Sequence, residues 1–245
     1  MRLQKYLAHA GVCSRRRAEA YILEGRVEVN GLVANTLGTQ VDPDNDQVKF
    51  DGHLVKISGK AAYTYILVNK PKGIVTSCSQ DNVRVILDLV SVKQRVYPVG
   101  RLDKDSEGLV LLTDDGELHN RLSHPSHDHE KEYRVWTLHP MKDQALESMA
   151  RGMMIDGVRT RRAVVKRLGK NEFTIILKQG RNRQIRKMVG KTGNRVERLL
   201  RTRMAALTLG CLKPGEWRYL TPKEIRQLTE QPDAHGPSDL IQKRS

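Results

Sequence analysis

The apolar residues of this chain fall in short runs that have the length and alternation of β-strands. Turn residues interrupt these runs, and the helical spacings between them are brief. This pattern predicts an α+β fold with a mixed, mainly antiparallel sheet at its core. The clearest strand-like runs are Tyr63–Val68, Val96–Val99, Leu109–Thr113, Glu132–Leu138, Ala163–Val165 and Phe173–Leu177.

Length and linker composition predict two unequal domains. The 245 residues are enough for one large domain or two smaller ones. Residues 58–62 read Ser-Gly-Lys-Ala-Ala, which is the composition of a linker. We therefore predict a small domain over residues 1–57 and a larger one over residues 63–230. Residues 231–245 are rich in Pro, Asp and Ser, which is typical of a disordered tail.

The first domain carries the signals of two short helices and a small sheet. Leu3 and Leu7 have helical spacing, and Ser14 is a suitable N-cap for a second helix. Asn-Gly at residues 30–31 and Asp-Gly at residues 51–52 are each flanked by apolar residues, which predicts two hairpins. The small domain should therefore be a helix–helix–sheet unit.

Positive charge is concentrated in one segment. The chain has 43 basic and 28 acidic residues, a formal net charge of +15. Residues 151–203 hold 17 of the basic residues and three of the acidic ones, a net charge of +14. Cations at this density repel one another unless a polyanion neutralises them, which favours nucleic acid or an acidic membrane as a partner. A highly charged, solvated surface is the simpler alternative.

Cysteine usage and hydropathy exclude several classes of protein. Three cysteines far apart suit neither a disulfide scaffold nor a zinc module. We find no apolar stretch of the length that a signal peptide or a membrane helix requires. These features predict a cytoplasmic protein with reduced thiols.

Three patterns that superficially suggest ligand sites are rejected on their spacing. Residues 103–107 resemble the start of a calcium loop, but its twelfth position is Asp114 instead of a bidentate Glu. Gly-Lys-Thr at residues 190–192 ends like a phosphate loop, but Ile185 stands where that loop needs glycine. The four histidines between residues 119 and 129 are unevenly spaced, which favours a solvated loop over a metal site. We predict no metal and no cofactor.

Two further features are candidates for function from the residues alone. Asp103 lies between two strand-like runs, close to Arg101, and a carboxylate in such a place is a catalytic candidate. A structural cap is the simpler interpretation. Residues 15–17 are three arginines in the first turn of a helix, where cations are unfavourable unless a phosphate binds there. An exposed basic turn is the alternative.

The motifs of the first domain are similar to a known RNA-binding unit. They are Arg2-Leu3-x-Lys5-Tyr6, Ser14-Arg15-Arg16-x-Ala18-Glu19 and Gly25-Arg26-Val27-x-Val29-Asn30-Gly31. Together they resemble the domain named after ribosomal protein S-four, over about residues 1–50. The resemblance implies binding to structured RNA, and the expected RNA-binding side chains are Arg2, Lys5, Arg15, Arg16, Arg17 and Arg26.

The larger domain contains an ordered series of motifs. They are Asn69-Lys70-Pro71-x-Gly73-Ile74, Pro98-Val99-Gly100-Arg101-Leu102-Asp103-x-x-Ser106-x-Gly108-Leu109, Thr113-x-Asp115-Gly116, His124-Pro125, Lys131-x-Tyr133 and Gly180-Arg181-x-Arg183-Gln184-Ile185-Arg186-Lys187-Met188. Their order and spacing resemble the rRNA pseudouridine synthases of the RsuA/RluB/RluE/RluF group, over roughly residues 63–222. Asp114 stands where that family often has Asn, and Ser106 where Thr is common.

This resemblance implies isomerisation of uridine to pseudouridine in ribosomal RNA, with large-subunit RNA slightly favoured. Asp103 would be the essential carboxylate, which attacks the sugar, attacks the base or removes a 2′ proton. Arg186 would pair with Asp103 and favour its ionised form. Tyr133 would stack on the uracil, and Ile185 would form an apolar wall.

The resemblance also implies the remaining substrate contacts. Arg101 would fill the space left by the extruded base or hold the phosphate of the flipped nucleotide, and Lys131 and Arg183 would contact the substrate. We expect a monomer that acts on ribosomal RNA or a pre-ribosomal particle, away from membranes.

One rival from another class is a non-catalytic RNA-binding factor for ribosome assembly. It would have no use for Asp103, Tyr133 and Arg186 in one pocket, so their separation in space would favour it. A phosphate-transferring enzyme would need a metal or nucleotide site, which the motifs do not supply.

Overall fold

The structure is a computed structural model that describes residues 1–57, 63–123 and 128–230. The chain divides into two compact units, Met1–Ala62 and Tyr63–Ser245, and each is described by itself. The linker predicted at residues 58–62 and the tail predicted at residues 231–245 lie outside the described residues.

Two helices open the smaller unit, α1 (Leu3–His9) and α2 (Arg15–Leu23). The predicted N-cap is confirmed, because Ser14 Oγ accepts a hydrogen bond from the Arg17 backbone N–H at 3.2 Å. Helices this short depend on burying an apolar face. The fully buried residues of that face are Leu3, Leu7, Ala18 and Ile22.

A four-stranded sheet completes the smaller unit. Its strands are β1 (Val27–Val29), β2 (Leu32–Val33), β3 (Val48–Phe50) and β4 (His53–Val55), in the order β2-β1-β3-β4. Both predicted hairpins form. Asn30 and Gly31 have φ values of 52° and 82°, and Asp51 and Gly52 have 49° and 76°. Paired positive φ angles match the twist that a two-residue hairpin turn requires.

The larger unit is built on a nine-stranded sheet. Its strands are β5 (Tyr65–Lys70), β6 (Tyr97–Val99), β7 (Glu107–Thr113), β8 (Lys131–Thr137), β11 (Val164–Gly169), β12 (Glu172–Leu177), β13 (Val196–Met204), β14 (Leu207–Thr208) and β15 (Trp217–Tyr219), and a separate hairpin is formed by β9 (Met154–Ile155) and β10 (Val158–Arg159). The helices are α3 (Gly116–Ser123), α4 (Asp143–Arg151), α5 (Gln184–Lys191), α6 (Pro222–Thr229) and a 3₁₀ turn (Ile86–Leu89).

The strand order confirms the predicted fold class. Seven strands follow the order β11-β12-β8-β13-β7-β5-β15, with β6 paired to β7 and β14 paired to β13. The junction between β7 and β13 is parallel, and the other pairs of these strands are antiparallel. This junction joins two antiparallel halves of the sheet, and the polar loop before β7 therefore lies where the two halves meet.

Helices cover the two halves of the sheet separately. Helices α4 and α5 pack on β8 and β12, where Met149, Met188 and Phe173 are completely buried. Helices α3 and α6 pack on β5 and β7 through Leu118 and Leu228. In the described residues, no helix is long and apolar enough to cross a membrane.

Several element boundaries differ from the expectation, and the strand predicted at Ala163–Val165 runs from Val164 to Gly169. The turn predicted at residues 69–73 begins later, because Asn69 and Lys70 complete strand β5 and are buried. Lys70 tolerates this position because its ammonium group donates to the carbonyls of Pro71 at 3.0 Å and Ile74 at 2.8 Å. Strand β7 begins at Glu107, two residues earlier than its apolar run.

Candidate active site

The loop between β6 and β7 holds Asp103 in a fixed position. Thr76 Oγ1 donates to the Leu102 carbonyl at 2.9 Å and accepts from the Leu102 backbone N–H at 3.2 Å. The Gly73 backbone N–H donates to the Lys104 carbonyl at 2.7 Å. Residues on both sides of Asp103 are thus anchored to the segment that follows β5, which explains why the two motifs occur together.

A cleft of about 350 Å³ opens above this loop. Six of the seven residues predicted for catalysis or substrate binding line it: Arg101, Asp103, Lys131, Tyr133, Arg183 and Ile185. They come from the β6–β7 loop, strand β8 and the start of helix α5, segments that are far apart in the sequence. Convergence of polar groups from several elements in one concave site is typical of an active site.

The seventh residue corrects the sequence analysis. Arg186 was expected to pair with Asp103, but its ion pair is with Asp105, at 3.4 Å. The Arg186 guanidinium also donates to the Asp105 carbonyl at 2.9 Å and the Val196 carbonyl at 3.3 Å. Arg186 lies in the first turn of α5, and these hydrogen bonds connect the β6–β7 loop to β13.

Arg183 makes the ion pair with Asp103 instead, at 3.7 Å. The same guanidinium donates two hydrogen bonds of 3.1 Å to the carboxylate of Asp105. Arg183 has φ of 50°, a left-handed conformation that bulky residues rarely adopt, at the residue that precedes helix α5. Its bidentate bond to Asp105 helps to offset the strain of that conformation.

Asp105 is therefore the carboxylate that organises the site's arginines. Partial burial by itself would raise its pKa, but the hydrogen bonds from Arg183 and the charge of Arg186 outweigh burial and hold the pKa below its usual value. Asp105 stays ionised and forms ion pairs with both Arg183 and Arg186. Asp103, whose side chain is 34% exposed, faces the cleft with a shared counter-ion.

The walls of the cleft are apolar and aromatic. Tyr133 is half-buried on β8, opposite Ile175 on one side and Arg201 on the other. Ile185, Leu102, Leu177 and Leu199 are buried and contribute the remaining apolar lining. An aromatic ring with aliphatic neighbours offers a flat, dry surface that suits a planar base.

Arg101 and Lys131 both line the cleft but differ in their exposure to solvent. Arg101 is exposed, so its guanidinium is free to meet RNA that approaches from solvent. Lys131 is partly buried, and its ammonium group donates to the His129 carbonyl at 3.2 Å. Burial and then the charge of Arg201 lower the pKa of Lys131.

Two residues of this site were missed by sequence analysis. Asp105 and Arg201 each have a role in the geometry but look like ordinary charges in the sequence. Arg201 lines the cleft and is 1% exposed, on a strand whose sequence contains three arginines. Irregular register at two points in the pairing of β13 with β8 hides which arginine faces inward, so a simple alternation rule does not identify it.

The predicted basic residues of the smaller unit have mixed environments. Arg2, Arg15, Arg16 and Arg17 are exposed on or beside the two helices, and Lys5 is partly exposed. Arg26 is held by Asp51, at 2.9 Å and 2.5 Å, and its guanidinium lies over the adjacent rings of Tyr21 and Phe50. Its bidentate pair gives Arg26 a structural function within the unit.

No group of three or more His, Cys, Asp or Glu side chains among the described residues is placed to hold a metal ion. Two of the clustered histidines, at positions 124 and 127, lie outside that part of the chain. His119 packs edge-on against Tyr97, with ring centroids 5.2 Å apart.

The two units are a helix–helix–sheet unit and a large mixed sheet whose cleft holds a carboxylate beside an aromatic ring. Comparison with known families identifies both units. Residues 64–191 match the RNA pseudouridylate synthase family, and residues 1–48 match the S4 domain. The chain belongs to the RNA pseudouridylate synthase family and is a pseudouridine synthase with an N-terminal S4 domain.

Individual relatives agree with this assignment. The dual-specificity RNA pseudouridine synthase RluF of Escherichia coli K12 is 42% identical over 228 residues, which are 93% of this chain and 78% of that protein. The ribosomal large subunit pseudouridine synthase B of Bacillus subtilis is 40% identical, and the alignment covers 96% of this chain and 98% of that protein. A crystal structure of a pseudouridylate synthase superposes with a TM-score of 0.68 at 30% identity, covering 93% of this chain and 99% of that one.

Proposed function

We propose that this enzyme isomerises a uridine of large-subunit ribosomal RNA, as a cytoplasmic monomer that acts on the RNA or on a pre-ribosomal particle. The relative from Bacillus subtilis carries the large ribosomal subunit in its name and aligns with nearly the whole chain. The segment of net charge +14 supplies cations for an RNA backbone. Phosphate contacts give affinity and register but little sequence choice, so the shape of the folded RNA would select the target.

In this proposal the target uridine leaves its stack and enters the cleft. Tyr133 and Ile185 hold the base between them, and Arg101 at the exposed rim takes the vacated space or the phosphate. Extruding a base costs a few kcal/mol, which the apolar walls and the rim cations offset. The single observation that carries the proposal is the placement of Asp103 in the same cleft as Tyr133 and Ile185.

Asp103 acts as the essential carboxylate in this scheme. It lines the cleft, and its ion pair with Arg183 is 3.7 Å long. Isomerisation transfers the ribose from N1 to C5 of the same base. Because the proton lost from C5 equals the proton gained at N1, the reaction requires no external group.

We propose that residues 1–57 bind RNA and residues 63–230 perform the chemistry, joined by residues 58–62. The exposed cations on α2 support the first assignment, because a helix N-terminus with Arg15 and Arg16 is a favourable place for a phosphate. The non-catalytic rival is disfavoured by the family assignment. Of the three residues expected in one pocket, Asp103 and Tyr133 line the cleft together, and Arg186 is not among its lining residues.

Replacing Asp103→Asn tests the catalytic assignment. The amide keeps the shape of the side chain but removes its charge, so pseudouridine formation should fall below detection while folding and RNA affinity persist. Asp81→Asn is the matched control, because Asp81 is an exposed carboxylate in the same unit and should leave the rate unchanged. An undiminished yield of pseudouridine from the Asp103 variant, measured by mass spectrometry, would refute the role of Asp103.

The RNA target is tested by mapping pseudouridine in total RNA from cells with and without the gene. We expect one or more sites to disappear from large-subunit ribosomal RNA and to return when the gene is restored, but not when the Asp103→Asn gene is supplied. Loss of sites only in small-subunit RNA or in other RNAs would overturn the substrate assignment.

A further inference from the structure

Strand β13 carries a buried cation without a counter-ion. Arg201 is 1% exposed, and its Nε donates to the Leu109 carbonyl at 2.7 Å. Its Nη2 is buried without a hydrogen-bond partner. Within the described ranges, no carboxylate lies at ion-pair distance from the guanidinium, as the ion pairs of this strand belong to its neighbours.

Arg198 and Arg203 on the same strand have carboxylate partners although they are less buried than Arg201. Stability alone would produce the opposite arrangement. Arg198 is largely exposed, yet it pairs with Glu107 at 2.9 Å. Arg203 is partly buried and pairs with Glu130 at 3.0 Å and Glu132 at 3.2 Å. A charge that is removed from water needs a partner far more than an exposed charge does. The arginine that most requires an anion is therefore the one without it.

A second cation lies close to Arg201 in the same wall of the cleft. Lys131 is on β8 beside β13, and its ammonium group donates a hydrogen bond to the carbonyl of His129. Burial and the positive charge of Arg201 both lower the pKa of Lys131, and Asp128 opposes them weakly. Two like charges at one wall create a positive potential that favours a negatively charged occupant of the cleft.

The other charges near the cleft do not remove this potential. Arg183 and Arg186 share the carboxylates of Asp103 and Asp105, and Glu107 is bound by Arg198. These arginines and carboxylates balance one another's charge. The positive potential of Arg201 and Lys131 therefore acts on any group that enters the cleft between Tyr133, Leu199 and Ile185.

The shape of this region favours a planar anion over a phosphate. Arg201 is almost completely enclosed, and Met204, Leu199 and Leu177 lie around it in the cleft lining. A tetrahedral phosphate is strongly hydrated and joined to ribose on both sides, so burial among these apolar side chains would be costly. A flat ring with delocalised charge loses less when it leaves water.

Pseudouridine formation generates such an anion. When the C1′–N1 bond breaks, its electron pair stays on the base. Either C1′ bonds to a nucleophile, or C2′ gives its proton to a base and a C1′=C2′ double bond forms, and that proton returns to C2′ when C5 bonds to C1′. The uracil ring then carries one negative charge, spread over N1 and the ring oxygens. The charge disappears when C5 bonds to C1′, and transfer of the C5 proton to N1 completes the balance.

We propose that Arg201 and Lys131 form a charge-stabilising site for the uracil anion during the interval in which the base is detached from the ribose. Because the charge is absent from the bound uridine and from the product, the site would favour the high-energy stage of the reaction over the ground state, which accelerates catalysis. The inference rests on the isomerase activity of the family and assigns a function to two cations that the catalytic carboxylate does not use.

The test replaces Arg201→Met in the full-length enzyme and measures single-turnover rate, RNA affinity and thermal stability on a ribosomal RNA fragment that wild type modifies. We expect the rate at saturating RNA to fall by about 10²–10³-fold, the range seen when one preorganised donor to a developing anion is removed. RNA affinity should change by less than about 3-fold, and the melting temperature should not fall, because an unpaired buried charge has been replaced by an apolar side chain.

Arg198→Met is the matched control, since Arg198 lies on the same strand but is exposed and paired. Its rate at saturating RNA should stay close to that of wild type. A rate for Arg201→Met within about 3-fold of wild type would overturn the proposal. If Arg201→Met does not fold, Lys131→Met removes the second cation without touching β13. That variant should lose at least about 10-fold in rate, and a wild-type rate would equally overturn the proposal.

A modified substrate separates charge stabilisation from a structural defect. Fluorine at C5 of the target uridine withdraws electrons and stabilises the detached base. Because this substrate has no C5 proton to transfer to N1, the rate of C1′–N1 cleavage is compared on both substrates, and the loss of Arg201 should matter at least about 10-fold less on the fluorinated one. An equal loss on both substrates would mean that Arg201 only supports the fold. Because the fragment is one that wild type modifies, a wild-type rate for Arg201→Met on it counts against the residue assignment and not against the choice of RNA.

Discussion

Gly108 lies opposite Arg201 at the junction between the two halves of the larger sheet. It has φ of 109°, and a Cβ atom added there would lie 2.3 Å from the Arg201 carbonyl oxygen and 2.7 Å from its nitrogen. These atoms belong to the backbone of β13 and have no rotamer that relieves the contact. A side chain at position 108 would therefore push β13 away from β7 and displace Arg201 from the cleft.

This geometry makes a prediction for single-residue stability. Gly108→Ala should destabilise the protein by about 3–5 kcal/mol, in the range of severe core and backbone conflicts. Gly157→Ala is the matched control, because Gly157 also has positive φ, 75°, but open space where a Cβ would stand. Its cost should be about 1–2 kcal/mol, from the left-handed backbone alone. Urea denaturation measures both, and equal losses would show that the contact with β13 is relieved by small shifts.

At the scale of single elements, α6 is secured at both of its ends. Thr221 Oγ1 accepts from the Glu224 backbone N–H, and the Glu224 carboxylate accepts from the Thr221 backbone N–H at 2.9 Å. Arg218 binds that carboxylate with two hydrogen bonds, at 2.7 Å and 2.8 Å. Arg121 donates to the carbonyl of Leu228 in the last turn at 2.7 Å. These contacts keep the apolar face of α6 on the core.

The capping contacts predict a pH-dependent stability. The hydrogen bond from Arg218 lowers the pKa of Glu224 to about 2, despite partial burial. A lowered pKa in the folded state means that the carboxylate stabilises the fold above its unfolded value near 4.5, and that this contribution is lost as pH falls toward 2. Glu224→Gln should therefore cost about 1 kcal/mol at pH 7, and the difference from wild type should shrink below about pH 4.5.

Thermal unfolding across pH 2–7 measures this effect. Glu147→Gln is the control, because Glu147 forms an exposed pair with Arg151 on α4 at 3.6 Å, and such pairs contribute little. A Glu224→Gln defect that stays constant from pH 7 to pH 2 would contradict the ionised cap.

At the scale of the whole molecule, RNA affinity and chemistry should be separable. Arg15 and Arg16 are exposed in the first turn of α2, in a unit distinct from the one that holds the cleft. In full-length enzyme, Arg15→Gln with Arg16→Gln should weaken RNA binding by at least about 10-fold and reduce the salt dependence of binding, by about 0.7–0.9 in log–log slope for each lost phosphate contact. The single-turnover rate at saturating RNA should be unchanged.

Lys223→Gln with Arg226→Gln provides the matched control for this experiment. Both residues are exposed on α6, so the double variant removes the same charge from the other unit. Filter binding at several salt concentrations measures the affinity. Equal effects of the two double variants would assign the loss to net charge and not to α2, and an unchanged affinity for the α2 variant would contradict RNA binding by that helix.

Local signals predicted most elements because they act over a few residues. The cap at Ser14, the hairpin turns at residues 30–31 and 51–52 and the apolar run of β7 all formed as expected. The elements that were not predicted, α4 and β13 among them, are rich in charge, and their apolar positions become visible only when a sheet and its covering helices define an inside.

The sequence by itself determined the fold class, the family resemblance and the candidate carboxylate, because turn chemistry, apolar spacing and motif order are written within short segments. Pairing among the charges was decided by packing. Arg183 and Arg186 are three residues apart. The position of α5 in the fold brings the Arg183 guanidinium to Asp103 and pairs the Arg186 guanidinium with Asp105. Arg201 is buried because the irregular pairing of β13 turns it inward against Gly108. Such choices depend on contacts between residues some 80–90 positions apart, where loop closure and packing outweigh local preference.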